Sequence, residues 1–173
     1  MGAVLRAVEV PERGGDTLWA DMACAYDNLP PDLRDRIDGM RAVHSFVQTF
    51  GHGMSAEQRA QMLEQFPPVE HPVVRTHPET GRDGLFVNQQ FTQMIIGLSK
   101  NESNALLEML YRHCQQPEVT CRSHWRPGSV AFWDNRATLH YALDDYGHAP
   151  RYAHRVTLQG DKPFGPAMPL PTR

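Results

Sequence analysis

WDNRATLHYALDDYGHAPRYAHRVTLQGDKPFG, residues 133–165, is the stretch on which the fold reading turns. Its last run, RYAHRVTLQG, reads as a strand, and in a strand residues four apart share a face, so Arg151 and Arg155 project to the same side. A planar guanidinium matches a carboxylate or sulfonate through two parallel hydrogen bonds. If that side faces the interior of a β-barrel, the two charges must be paired there. His140 is placed just past the strand SVAFWDN, where a barrel strand gives way to a loop and a rigid metal ligand can sit. Two readings stay open on the residues alone. Both arginines could pair with aspartates of this chain at a surface and His140 could be structural, or the three could form an anion and metal site.

Working outward, GAVLRAVEV alternates well enough for a strand, and RGGDTLW makes a turn. LWADMACAYDNL has helical spacing, and PPDLRDRIDGM is a short helix opened by proline and closed near Gly39. AVHSFVQTF reads as a strand, and SAEQRAQMLEQF as a helix capped by Ser55. HPVVRTHPETGRDGLFVN is a hairpin around a Pro/Gly turn. SKNESNALLEMLYRHCQQP is the clearest helix, with Ser99 and Glu102 as a capping box and Leu106, Leu107, Leu110 and Tyr111 as its apolar face. VTCRSHW and SVAFWDN, joined by RPG, read as a second hairpin. Many short strands with helices between them define a mainly β fold, an antiparallel core with helical insertions.

The 173 residues suit one compact domain, and a net charge of −3 with mixed signs argues against nucleic acid or an anionic membrane as the main partner. No apolar run approaches the roughly 20 residues needed to span a bilayer, and the N-terminus lacks the features of a signal peptide. Cys24, Cys114 and Cys121 are scattered and odd in number, which fits reduced thiols of a cytoplasmic protein and argues against a zinc site.

GGDTLW, MRAVHSF, HPVVRTHPETG, LFVNQQFT and the opening stretch itself, in this order, resemble the taurine dioxygenase family of Fe(II)/2-oxoglutarate-dependent oxygenases from about Met1 to Phe164. The resemblance implies a double-stranded β-helix, a jelly-roll and cupin-like fold, present here in part. It implies that His140 is the distal histidine of a two-histidine, one-carboxylate iron triad, which leaves three positions of Fe(II) open for 2-oxoglutarate and oxygen. Arg151 corresponds to the arginine that holds the far carboxylate of 2-oxoglutarate, with the Thr17 hydroxyl assisting it. Arg155 matches an arginine that contacts the anionic group of the substrate, and Phe50 and Phe91 align with aromatic residues of the substrate pocket, a core role being open for each. The implied reaction is hydroxylation of a C–H bond in a small anionic, sulfonate-like substrate, with the metal carrying the chemistry and no side chain acting as catalyst. Family members commonly form homo-oligomers.

The family's other two iron ligands, an H-x-D pair, lie upstream of the strand that GAVLRAVEV resembles. Residues 1–165 are therefore expected to form an incomplete dioxygenase domain lacking its N-terminal strands, followed by a tail over 166–173, with Met1 an internal methionine of a longer protein. The H-x-[DE] at His77–Glu79 lies in a hairpin turn and is read as structural. Missing strands should leave an open sheet edge and uncovered apolar surface. The competing expectation is a non-catalytic remnant, or a partner-dependent subunit, that keeps Thr17, Arg151 and Arg155 as an anion pocket.

Overall fold

Glycine pairs, prolines and capping residues cut the chain into short elements, which the computed structural model describes over residues 1–166. The expected C-terminal tail falls outside them except for Pro166, which sits in a turn. In chain order the elements are β1 (Gly2–Glu9), β2 (Thr17–Asp21), α1 (Met22–Asp27), α2 (Pro31–Ile37), β3 (Arg41–His44), α3 (Phe46–Phe50) and α4 (Ala56–Gln65). There follow β4 (Val69–Pro72), β5 (Val74–Thr76), β6 (Asp83–Leu85), β7 (Thr92–Ile95) and α5 (Lys100–Cys114). A 3-10 turn over Pro117–Val119 leads into β8 (Thr120–Ser123), β9 (Val130–Asp134), β10 (Thr138–Ala142) and β11 (Tyr152–Leu158). Two three-stranded sheets, β11-β1-β9 and β10-β2-β8, carry the site; a third, β4-β3-β7, and the β5-β6 hairpin complete the molecule. Every ladder among the described residues is antiparallel.

Register fixes what each face presents. In the first sheet Ala3 pairs with Thr157 and Trp133, and Leu5 with Arg155 and Ala131, so Trp133 and Arg155 share one face. Val4, Phe132 and Val156 pair across the other face, with Val130 and Leu158 on the same side. In the second sheet His140 pairs with Trp19, and Thr17 with Ala142 and Ser123, which puts His140, Trp19 and Thr17 on one face. The opposite face of that sheet carries Ala20 and Leu139 into the core. There they meet Ala25 and Tyr26 of α1, Leu106, Leu107 and Leu110 of α5, Ile95, and Val74 and Leu85 of the hairpin.

The local signals behind these elements are readable. Asp21 caps α1 by accepting from the backbone N–H groups of Ala23 and Cys24, each satisfying a donor that the helix leaves orphaned. Ser55 with Gln58 and Ser99 with Glu102 form reciprocal capping boxes on α4 and α5. Gly39, at φ +75°, ends the segment after α2, as expected.

Four expectations need correction. Residues 18–21 of the expected helix LWADMACAYDNL are strand β2, because Leu18, Trp19 and Ala20 pair on both sides with β8 and β10, and only the Asp21 cap starts the helix. AVHSFVQTF is strand only to His44 and then turns into α3. VTCRSHW and SVAFWDN are not a hairpin: β8 pairs with β2 and β9 with β1, in different sheets. His140 is not at a strand-to-loop junction but in the middle of β10.

The outer face of the first sheet is uncovered, as expected: Phe132 is 71% exposed and Val156 63%, beside Val130 and Leu158. Helix α4 buries no residue at all. No described helix is long and apolar enough to cross a membrane.

Candidate functional site

The two sheets meet where Trp133 of the first packs against Trp19 and His140 of the second. Ring centroids lie 4.9 Å apart for Trp19–Trp133, 5.1 Å for Trp133–His140 and 5.5 Å for Trp19–His140. Arg155 lays its guanidinium over the same Trp133 ring at 5.3 Å. Burial, and then the nearby positive charge of Arg155, hold the His140 imidazole below its ordinary pKa. His140 is thus neutral near pH 7, and its ring nitrogens have no hydrogen-bond partner among the described residues, leaving a lone pair free to ligate.

Arg151 immediately precedes β11. Its Nε donates to the Gly15 carbonyl at 3.1 Å, and its guanidinium lies 6.0 Å from the centre of the Tyr146 ring. The approach favours glycine: at Gly15, with φ +70°, a Cβ would meet Pro11 Cγ at 3.0 Å and Arg151 Nε and Cδ at 3.3 Å. The Gly15 N–H in turn donates to Asp145 Oδ1 at 2.7 Å. Asp16, 6% exposed, accepts from Arg122 Nε at 2.6 Å and His124 Nδ1 at 2.8 Å. Burial pushes the Asp16 carboxyl up, but these two partners outweigh it and hold the pKa below the ordinary value. Thr17 is buried one residue further on, and its Oγ1 accepts from Trp125 Nε1 at 2.9 Å. One clamped segment, residues 15–17, therefore serves both Arg151 and Thr17.

Neither Arg151 nor Arg155 pairs with a carboxylate among the described residues, so the surface-pairing reading of the two arginines is excluded there. Nor do both lie inside one strand: Arg155 belongs to β11 and is exposed, while Arg151 is half-buried just before it. The other arginines near the site are spoken for. A cleft of about 460 Å³ runs beside Trp19 and Thr138 and is lined also by Arg75, Arg82 and Arg136, each of which is paired with a carboxylate.

The H-x-E of the hairpin turn is part of that paired network. His77 Nε2 meets Asp134 at 3.1 Å, Glu79 meets Arg136 at 2.9 Å, and Arg136 meets Asp134 at 2.6 Å. These contacts latch the β5-β6 hairpin onto the end of β9, a structural role. Phe50 and Phe91 lie 6.1 Å apart, with Phe46 at 4.4 Å from Phe50 and Phe66 at 5.0 Å from Phe46. This cluster on α3, the end of α4 and the approach to β7, exposed except for the half-buried Phe91, makes its ring contacts within itself, apart from the His140 group.

As a metal site the donor set is short. Among the described residues no group of three His, Cys, Asp or Glu side chains could hold a metal, and His140 stands as a single donor. As a site for a dicarboxylate the fit is better, since Arg151 keeps its terminal nitrogens and Thr17 keeps its hydroxyl proton. Sequence reading missed Trp19, Trp125, Trp133, Asp16 and Asp145. Trp19 follows once Thr17–Asp21 is taken as a strand, since residues two apart then share a face; Trp125 and Asp145 lie in connections where no periodicity marks them.

Comparison with known proteins agrees with this architecture. The Taurine catabolism dioxygenase TauD, TfdA family matches residues 1–157. An alpha-ketoglutarate-dependent sulfate ester dioxygenase of Pseudomonas putida is 42% identical over 171 residues, covering 94% of this chain and 56% of that protein. An alkylsulfatase of Acinetobacter baylyi is 38% identical over 171 residues, covering 94% of this chain and 53% of that protein. A crystal structure of a taurine dioxygenase from Burkholderia xenovorans superposes with a TM-score of 0.82 at 43% identity, over 95% of this chain and 54% of that one. AAD-2 in complex with Mn(II) and N-oxalylglycine gives 0.85 at 31% identity, over 94% of this chain and 64% of that one. The antiparallel, cupin-like fold is that of the alpha-ketoglutarate-dependent dioxygenases. The chain belongs to the TauD/TfdA family, and it spans about half the length of the curated relatives it matches.

Proposed function

We propose that this chain carries the 2-oxoglutarate and substrate half of an Fe(II)/2-oxoglutarate-dependent dioxygenase acting on a small anionic compound, a sulfate ester or sulfonate. The observation that carries the reading is the convergence on one inter-sheet space of a neutral, unpartnered His140 and the unpaired cation Arg155, with the unpaired Arg151 bonded to Gly15, just before the strand that carries Trp19. Arg151 and Thr17 would bind the distal carboxylate of 2-oxoglutarate, and Arg155 the anionic end of the substrate, against Trp133. His140 would supply one ligand to Fe(II), which when bound provides the oxygen-activating chemistry. Two further ligands would have to come from polypeptide outside the described residues. Phe50 and Phe91 would line the outer part of the substrate path.

A second reading, a non-catalytic or partner-dependent anion binder, is favoured by one observation, that His140 is a lone metal donor. Oxygen-dependent conversion of 2-oxoglutarate to succinate, assayed with Fe(II) on the protein as its own gene produces it, separates the two. Stimulation by alkyl sulfates or sulfonates, abolished by Arg155→Ala, supports the dioxygenase. Binding of 2-oxoglutarate without succinate under any condition supports the second reading, and absence of 2-oxoglutarate binding sinks both.

A further inference from the structure

We propose that Trp125 is a positioning residue that commits the Thr17 hydroxyl to donating, and so tunes the site toward an ionised carboxylate. The proposal rests on the reading of Thr17 and Arg151 as the carboxylate site. An indole N–H can only donate, whereas a threonine hydroxyl has one proton and can act in either sense. Trp125 Nε1 donates into Thr17 Oγ1 at 2.9 Å, and both side chains are buried, at 6% and 4% exposure. With that acceptor position filled, the hydroxyl proton is left to point at another acceptor. An ionised carboxylate is an acceptor only and satisfies it; an apolar end leaves the buried hydroxyl without that bond.

The bond belongs to a side-chain ladder between residues 16–19, at the start of β2, and residues 122–125, from the end of β8 into the β8–β9 connection. Arg122 and His124 hold Asp16, Ser123 Oγ accepts from Trp19 Nε1 at 3.0 Å, and Trp125 holds Thr17. The rungs on Asp16 and Trp19, with the backbone ladder, keep β2 in register without Trp125. Removing the indole N–H therefore changes the orientation of one hydroxyl more than the position of its strand.

The test is the ratio of affinities for 2-oxoglutarate and 2-oxopentanoate, which lacks the distal carboxylate, by ligand-observed NMR on the full chain. Trp125→Phe should lower this preference about 5- to 10-fold, the loss of one hydrogen bond. Thr17→Val should lower it at least as much, the double variant no further, and Thr17→Ser should retain it. A Trp125→Phe chain with wild-type preference, alongside a Thr17→Val chain that has lost it, overturns the proposal and leaves the carboxylate site standing. An Arg151→Ala chain with unchanged preference overturns the site reading and the proposal together. An independent readout needs no variant: in the 15N-labelled chain, 2-oxoglutarate should slow solvent exchange of the Trp125 indole proton more than 2-oxopentanoate does. An indole proton indifferent to both ligands counts against the proposal.

Discussion

Replacing His44 with glutamine should remove a large part of the acid sensitivity of this fold. His44, on β3, is 7% exposed, and its Nε2 is buried without a hydrogen-bond partner. Its ring stacks on Phe86 at 5.9 Å and meets His71 edge-on at 5.1 Å. Burial first, and His71 second, push its pKa from 6.5 down to about 4. His71 is itself held low by burial and by the charges of Arg75, Arg41 and Lys162, so a second proton finds no counter-charge there. The folded pKa lies below the unfolded one, so the unfolded chain takes the proton first. The contribution is whole above pH 6.5 and is lost as pH falls from 6.5 toward 4. At pH 5, about 1.5 units below the unfolded value, the loss is roughly 2 kcal/mol, rising to about 3 kcal/mol below pH 4. Urea denaturation at pH 7.5 and pH 5.0 reads it directly. The pH-dependent loss should be smaller by about 2 kcal/mol in His44→Gln than in the unaltered chain, since other titrating groups cancel in the difference. Equal losses in the two proteins would refute a buried, neutral His44.

Other perturbations probe separate parts of the structure. Gly15→Ala should destabilise the chain by roughly 1–2 kcal/mol, because φ is +70° and Arg151 stands in the way, and should weaken 2-oxoglutarate binding with it; calorimetric melting and ligand titration check both. Asp161→Ala removes the carboxylate bonded to Arg75, a side chain 1% exposed, and should cost roughly 3 kcal/mol or more, whereas Arg75→Met should cost clearly less, as read by chemical denaturation. Ser99→Ala breaks the α5 capping box and should lower stability by about 1 kcal/mol without affecting ligand binding. Phe132→Ser on the uncovered sheet face should reduce concentration-dependent light scattering while leaving the melting temperature nearly unchanged, since that side chain is 71% exposed.

Much of the fold was legible because its signals are local. The Ser55 cap, the Ser99–Glu102 capping box, the proline-opened α2 and the Pro/Gly turn at 77–81 all act within a few residues. The errors fall where a partner distant in sequence decides. Leu18–Asp21 has helical spacing but is held as a strand by β8 and β10, more than 95 residues later. SVAFWDN looks like the return of a hairpin, yet its partner is β1 at the other end of the chain. Of the site, the four-residue spacing of Arg151 and Arg155 was visible, as was the isolated His140. Trp133 beside His140 was not, because it arises from two sheets closing on each other, and neither was the clamp on Gly15–Thr17, whose partners Trp125 and Asp145 lie more than 100 residues away.

In the proposed site, shared with 2-oxoglutarate between the two sheets, His140 is a metal donor. Paramagnetic broadening of the chain's NMR signals by Mn(II), with 2-oxoglutarate present, tests it most directly and tolerates weak binding. Broadening centred on Trp19, Trp133, His140 and Arg155 is expected, and it should disappear in His140→Ala. Broadening centred on His77 and Asp134, or broadening that survives in His140→Ala, would contradict it.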